Sequence, residues 1–514
     1  MMGWRVETAP SAIIFSSRIR RVNAFHPRRN RKAVSGMGFP LLKHVRGAVR
    51  WAPAAVVLGA AVQMGLAGLE RSFWLDEAWV VNSLRTRSFA EMLRGGDWLQ
   101  TSPPGFLLAA RGAVAAFGWS KAALRSVPLV FTVLAGVAIL GAARRLAPAA
   151  APLTAAALLF PVVAVEYLHA FKQYAGEAAA AAVVLWAAVE YELQPDGRRF
   201  AALWLAAVGL LGLAYPLAFL APGLLVLVWR RGGWRRAAAL ALGMAAMLAA
   251  LYAGSIRPNV GASLWSYWDA SWLGAYSAGV WLWLAAAAAL TAWGWRQRRY
   301  AVVAGALPVL LLAAAEWSGW YPASPRTRLF ARPGFLLAAA AVAGPWLARL
   351  RWSRPVAAAG AMALAVNAAA TYRPQSFEAY DEAVELLRAR VAPEDLLLVH
   401  ASAREGFRLH AALKGWEPPA RYGDTGWPCC PRGKAFARGR AEAAAVRADL
   451  ARLAPAGFRG RIWMLYTDRP THWDFLGLDE GELWRSTLWE RGCPPEGYIK
   501  LPNLIVAVNR CHSP

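Results

Sequence analysis

The stretch Trp51–Leu69 (WAPAAVVLGAAVQMGLAGL), followed at once by Glu70–Trp79 (ERSFWLDEAW), decides how this chain is read. An uncharged run of this length reaches across the hydrocarbon core of a bilayer. The exit from it is acidic and bracketed by Trp74 and Trp79, a composition suited to a membrane–water interface. Outward from this stretch, apolar runs recur near 103–118, 126–142, 149–165, 177–193, 200–214, 217–229, 236–253, 277–295, 300–315, 329–348 and 355–371. The whole chain has 514 residues, 58% of them hydrophobic and only 17% charged, with 27 Trp. That balance excludes a soluble enzyme, a disordered chain and a fibrous one. The reading is a polytopic α-helical membrane protein.

Charge supplies the sidedness. Residues 1–371 carry 37 Lys and Arg against 13 Asp and Glu, and residues 372–514 carry 20 against 18. The basic residues sit in short clusters between apolar runs, a topological signal and not a nucleic-acid footprint. Arg144–Arg145, Arg198–Arg199, Arg230–Arg231 with Arg235–Arg236, Arg296 with Arg298–Arg299, and Arg349, Arg351 and Arg354 fall at every second gap. Alternating crossings place them all in the cytoplasm. The segment 103–118 breaks the parity if it crosses. It is short, opens with Pro103-Pro104 and carries Arg111 at its middle, so it reads as an interfacial or re-entrant helix. About eleven spans result, with the N-terminus inside and residue 372 outside; twelve spans with one misplaced Arg pair is the alternative. Residues 1–50 form a basic cytoplasmic segment in which Met37 is an alternative start. The first span opens at Trp51, with Pro53 in its first turn.

From Tyr372 the chain changes character. Asp381–Arg390 has a helical pattern, and Leu396–Val399, Arg461–Tyr466 and Leu504–Val508 are strand-like. Residues 372–514 thus read as a small α/β domain, extracytoplasmic by parity. All four cysteines lie here. An oxidising compartment favours disulfides, with Cys429 or Cys430 paired to Cys493 or Cys511 in preference to a vicinal bridge.

On this topology the acids Asp76, Glu77, Glu166, Glu177 and Glu316 lie at the outer ends of helices. A site built on acids therefore faces outward. Asp76 and Glu77 open the first outer loop, which continues through a short amphipathic helix at Ser88–Leu93 and Thr101–Phe106 into the surface helix.

The pattern F-W-L-D-E-A-W, then S-F-x-E-M-L, then S-P-P-G-F-L-L resembles the start of the GT-C-type glycosyltransferases that use lipid-phosphate sugar donors. It is closest to the bacterial proteins grouped with the protein O-mannosyltransferases and aminoarabinose transferases. Glu166–Tyr174 (EYLHAFKQY) resembles that family's second outer motif, Tyr321–Phe330 (YPASPRTRLF) its Arg-rich entry to a late span, and Phe117–Ser126 also follows its pattern. Glu177 stands where close relatives are expected to carry Asp. The resemblance covers most of residues 50–371, which implies a catalytic membrane domain over 51–371 in a bacterial inner membrane. It also implies a polyprenyl-phosphate-linked donor and transfer to an extracytoplasmic glycan, lipid or protein.

The chemistry agrees with that implication. The sugar of such a donor sits just outside the bilayer on a phosphate leaving group. The protein must add a base for the acceptor's proton and cations for the phosphate. Asp76 and Glu77 are the candidate catalytic carboxylates. Lys172, Arg326 and Arg328 are outer cations against the positive-inside trend, hence candidate phosphate ligands, although each also reads as a lipid-headgroup contact. Glu166, Gln173 and Tyr174 are candidate pocket residues. His169 and the aromatic group Trp265, Tyr267, Trp268 and Trp272 are weaker ones. No motif demands a cofactor; a divalent cation at Asp76, Glu77 and Glu166 is left open. A transporter or flippase of a lipid-linked or small solute is the rival reading, against which stand the missing internal repeat and the acids gathered at one surface.

Overall fold

The structure, a computed structural model, describes residues 40–94, 102–257, 278–318, 320–321, 326–374, 376–418, 422–424, 447–448, 450–452, 457–468 and 480–512. The aromatic group at 265–272 and Cys429 and Cys430 lie outside them. The chain is mostly helical, with one small sheet.

Residues up to 371 form α1 (Pro40–Ala67), α2 (Leu75–Thr86), α3 (Phe89–Leu93), α4 (Pro104–Phe117), α5 (Lys121–Leu146), α6 (Ala151–Leu159), α7 (Val162–Leu168) and α8 (Tyr174–Leu193). They continue with α9 (Gly197–Gly209), α10 (Ala221–Gly232), α11 (Trp234–Leu251), α12 (Ala278–Arg296), α13 (Tyr300–Trp317), α14 (Arg332–Leu347) and α15 (Ser353–Thr371). Among the described residues four stretches are long and apolar enough to cross a membrane: Lys121–Leu146, Trp234–Ile256, Tyr300–Trp317 and Leu329–Leu347. The pair α6 and α7 makes a fifth if counted as one.

Two expectations about the spans are corrected. The segment 149–165 is not one helix, because α6 and α7 meet at a 68° bend. Pro161 stands at the break, lacking the N–H a continuous helix needs. The side chain of Arg332 donates to the carbonyl of Ala157 at 3.0 Å, satisfying one of the acceptors that the break frees. In addition, α1 begins at Pro40, so Pro53 lies inside it and not in its first turn.

Small residues set the packing. Ala178–Ala182 on α8 are all buried, as are Ala135, Ala138 and Ala142 on the neighbouring α5. Gly305 of α13 and Gly334 of α14 are in mutual backbone contact; a Cβ added at either falls within 2.6 Å of the other's carbonyl oxygen. Close helix approach through small side chains is the usual packing mode in membranes.

The polar residues divide between two ends of this bundle. At one end Arg145 pairs with Glu190 at 2.7 Å, Arg231 with Glu192 at 3.2 Å, and Arg144 lies over the Trp51 ring. At the other lie Asp76, Lys172, Arg326 and Tyr372. The segment expected to lie at the membrane surface, 103–118, is α4. Arg111 at its middle donates to the Arg87 carbonyl that ends α2 and contacts the Met92 sulfur, so its charge is held within the loop. Gly105 in its first turn lies against the backbone of Gly212 and Leu213, where an added Cβ would come within 3.0 Å of the Gly212 carbonyl oxygen, tighter than an ordinary contact.

The C-terminal part has β1 (Leu396–Val399), β2 (Tyr422–Asp424), β3 (Gly460–Thr467), β4 (Pro495–Leu501) and β5 (Leu504–Cys511), with α16 (Tyr380–Arg390), α17 (Ala401–Leu413) and α18 (Glu480–Glu490). The strand order is β2-β1-β3-β5-β4. β1 runs parallel to β2 and β3, and β5 antiparallel to β3 and β4. Leu397 and Val399 pack under α16 and α17, while Leu396 and Leu398 face α18. Covering both faces is what makes the 396–399 run continuously apolar.

The disulfide joins Cys493 to Cys511, not either of them to Cys429 or Cys430. Strand pairing is the reason. Asn509 of β5 lies opposite Pro495 at the start of β4, and the Asn509 side chain holds the Cys493 carbonyl at 2.9 Å. The two cysteines therefore sit side by side, with Cα atoms 4.0 Å apart.

Candidate active site

The first turn of α2 carries both candidate carboxylates. Adjacent helical positions point about 100° apart, so the two face different surroundings. Glu77 turns inward and is fully buried. Arg125, near the start of α5, binds it in a fork, Nη1 to Oε1 at 3.0 Å and Nη2 to Oε2 at 2.9 Å. The backbone N–H groups of Phe171 and Trp74 also donate to it, at 2.5 and 3.1 Å. Arg125 donates further to the carbonyls of Arg71, Ser72 and His169. The pair thus ties α2, α5 and the turn before α8 together.

Asp76 turns toward Arg326, whose Nη1 lies 2.9 Å from Oδ2, and its side chain keeps 18% of its accessible surface. Lys172, in the turn before α8, is buried. Burial pushes its pKa down to about 8, opposed by the nearby Asp76 and reinforced by Arg326. Tyr174, the first residue of α8, lies within electrostatic reach of both Arg326 and Asp76. His169 is held down to about 4 by burial and then by Arg71 and Arg125, which keeps it neutral.

Beside this cluster opens a cavity of about 760 Å³. Arg326 lines it together with Arg71, Glu166, Tyr167, Trp74 and Arg373, and Met64, Phe160, Val162 and Ala368 form apolar wall. Arg326 therefore belongs to both the Asp76 cluster and the cavity.

The structure brings Asp76, Lys172, Tyr174 and Arg326 together, with Glu77 behind them and Glu166 in the adjoining cavity. Gln173 precedes α8, and its side-chain oxygen is buried without a hydrogen-bond partner. Arg328 is engaged elsewhere, forked onto Glu316 at 3.0 and 2.7 Å. Among the described residues no three His, Cys, Asp or Glu side chains come together as a metal-ligand set.

Sequence reasoning did not find the C-terminal contribution. Glu378 accepts the Leu75 N–H at 2.7 Å, and Ser376 Oγ accepts the Ser72 N–H at 3.1 Å. The fully buried His410 of α17 accepts the Phe73 N–H through Nε2 at 3.1 Å. Its Nδ1 side meets Asp381 at 3.0 Å. Burial alone raises the Asp381 pKa, but the hydrogen bond from His410, then the bond and charge of Lys121, hold it well below the usual carboxylate range. Asn82 of α2 donates to Glu405 at 2.9 Å. Contacts this distant in sequence leave no local signal. The role of Arg125 had one, since it is a basic residue near the end of an apolar helix expected to face outward.

No protein-family model matches the chain, and no curated protein matches it by sequence. Among solved structures it resembles ArnT from Cupriavidus metallidurans in the apo state, at 16% identity and a TM-score of 0.52. It also resembles the same protein bound to undecaprenyl phosphate, at 15% identity and 0.50. Each likeness covers 90% of this chain and 98% of that one. At such identities the likeness is one of fold, and the chain has the GT-C-type membrane-glycosyltransferase fold of ArnT.

Proposed function

We propose that the chain transfers a sugar from a polyprenyl-phosphate-linked donor to an extracytoplasmic acceptor, with Asp76 as general base. In this reading residues 51–371 are the catalytic part, crossing a bacterial inner membrane about eleven times. Residues 1–50 are cytoplasmic and residues 372–514 extracytoplasmic.

One observation carries the reading: a partly exposed carboxylate, Asp76, shares its cluster with the cations Lys172 and Arg326 at one end of an apolar helical bundle. The fold supports it, because ArnT has been captured with undecaprenyl phosphate. In the reaction the acceptor oxygen attacks the anomeric carbon, and the bond from that carbon to the phosphate oxygen breaks. The acceptor proton passes to Asp76, and the polyprenyl phosphate leaves with the bonding pair. Arg326 has two partners to choose between. When a donor phosphate draws it away, the Asp76 carboxylate is left free to take the acceptor's proton. Lys172 and Arg326 then stabilise the charge that grows on the phosphate. Glu77 holds α2 in place and takes no proton.

The test is sugar transfer from synthetic polyprenyl-phosphate donors by purified protein in nanodiscs. Asp76→Asn keeps the shape and removes the base, so the rate falls by roughly two to four decades with donor binding kept. A wild-type rate in folded Asp76→Asn protein removes Asp76 from the mechanism. Lipid translocation without transfer turns the reading to a flippase.

A further inference from the structure

Six glutamates are buried in the described residues, and five of them have partners. Glu77 holds Arg125, and Glu192 accepts from the backbone of Tyr300 and Ala301. Glu316 holds Arg328, Glu378 caps Leu75, and Glu405 meets Asn82 and Arg404. The sixth is Glu177, only 5% exposed on the first turn of α8. It has no hydrogen bond or ion pair to its side chain among the described residues. One helical turn earlier, the Gln173 side-chain oxygen is also buried and unpartnered. The Glu177 N–H donates to the Gln173 carbonyl at 2.8 Å, so the two side chains leave the same face. Buried acceptors without donors are rare in native proteins, and each calls for an explanation.

Their surroundings supply one. The Glu177 carboxyl lies within electrostatic reach of the hydroxyls of Tyr174, Tyr215 and Tyr321. Tyr215 in turn shares a 2.8 Å hydrogen bond with Ser255. Tyr174 is the link to the catalytic cluster, since Asp76 and Arg326 act on it too. Two empty acceptors, an amide that can also donate, and aromatic walls suit a ligand dense in hydroxyl groups. They do not suit a lipid chain, and they offer no cation to hold a phosphate.

We propose that Gln173 and Glu177 form the subsite that binds the hydroxyls of the donor's sugar, next to the phosphate held at Lys172 and Arg326. This rests on the glycosyltransferase reading and adds where the sugar sits and what selects it. The carboxyl group gains its missing partners only when sugar hydroxyls arrive. Discrimination between sugars then follows from which hydroxyls reach it, because a ligand lacking one leaves a buried polar group unpaired.

The experiment separates this inference from the reading beneath it. Affinity is measured in nanodiscs for undecaprenyl phosphate and for its glucosyl, galactosyl, mannosyl and arabinosyl esters. The probes are applied to wild type, Glu177→Leu and Gln173→Leu. Expected is at least one ester that wild type binds about tenfold better than the bare lipid phosphate, the worth of one or two hydrogen bonds between neutral groups. Both variants lose most of that gain and keep their affinity for undecaprenyl phosphate within twofold. Glu177→Leu also melts no lower than wild type, because it replaces an uncompensated buried carboxyl with an apolar group of similar size. A sugar-dependent gain that survives in both variants overturns the proposal, as does equal binding of all five probes by wild type. A fall in melting temperature with the gain intact makes Glu177 structural and overturns it as well. Wild type that binds no probe at all overturns the lipid-phosphate reading and the subsite with it.

Discussion

Glu378 caps the helix that carries Asp76: its carboxylate accepts the Leu75 N–H at 2.7 Å from 303 residues further along the chain. The residue at the N-cap of α2 is Trp74, whose side chain makes no capping bond. The cap therefore comes from the segment that follows α15. With His410 on Phe73 and Ser376 on Ser72, it fixes the strand of loop that sets the direction of Asp76.

Glu378→Ala should cost about 1 kcal/mol, the usual worth of a helix cap. It should also slow sugar transfer, because Asp76 lies one residue beyond the capped N–H. Glu378→Gln retains an acceptor oxygen and should recover most of both losses. Thermal unfolding and transfer rates measured on the same preparations check this. Full activity in Glu378→Ala would show that α2 is positioned without its cap.

The adjacent carboxylates should respond in opposite ways. Glu77→Gln leaves Arg125 buried, 3% exposed, against a neutral partner. Breaking a buried pair from one side costs about 3–5 kcal/mol. Arg125→Met should cost a similar amount, and Glu77→Leu with Arg125→Met should recover part of it, since no lone charge then remains. Asp76→Asn should hardly change the melting temperature while abolishing most transfer. If Glu77→Gln unfolds like wild type, the fork with Arg125 is not what holds α2.

How far the sequence reached depends on the range of the forces involved. The helix at 89–93 was readable because Ser88 and Glu91 form a capping box within four residues. The strand at 396–399 was readable because apolar runs bounded by turn residues are local. Lys172 and Arg326 were singled out as cations against the charge bias and Asp76 as an acid just past the first apolar run; Arg326 pairs with Asp76 at 2.9 Å. Which of Asp76 and Glu77 is open depends on Arg125 folding against α2, a contact 48 residues away. Arg328 looked like Arg326 in sequence, and Glu316 on the preceding helix is what distinguishes them. The break at Pro161 was readable in principle; apolarity alone joined α6 to α7. The exposed β4 has almost no apolar pattern, so the hairpin that brings Cys493 to Cys511 could not be foreseen.

That disulfide can be mapped directly. Proteolysis without reductant should release a peptide linking Cys493 to Cys511, with neither of them linked to Cys429 or Cys430. The closed loop spans 18 residues. Loop closure of this size is worth about 3 kcal/mol, so Cys493→Ser should lower the stability of the C-terminal part by about that amount. Recovery of Cys493 joined to Cys429 or Cys430 would contradict the strand pairing of β4 and β5.

The last prediction concerns pH. Burial holds Lys172 at about 8, well below the ordinary 10.5 of a lysine. A bound phosphate favours the charged ammonium and raises that value. Free protein above pH 8 is therefore increasingly neutral at Lys172 and must take up a proton to bind. Binding coupled to proton uptake weakens as pH rises, by up to tenfold per unit. The donor ester is a phosphodiester with one charge throughout the range, so the slope belongs to the protein. Donor Kd should be flat from pH 6.5 to about 7.5 and should rise between 8 and 9.5. Lys172→Met should bind more weakly at pH 7 and lose the slope. Arg326→Lys, which keeps a cation beside Asp76, should retain it. A slope that persists unchanged in Lys172→Met assigns the titration to another group and removes Lys172 from the phosphate site.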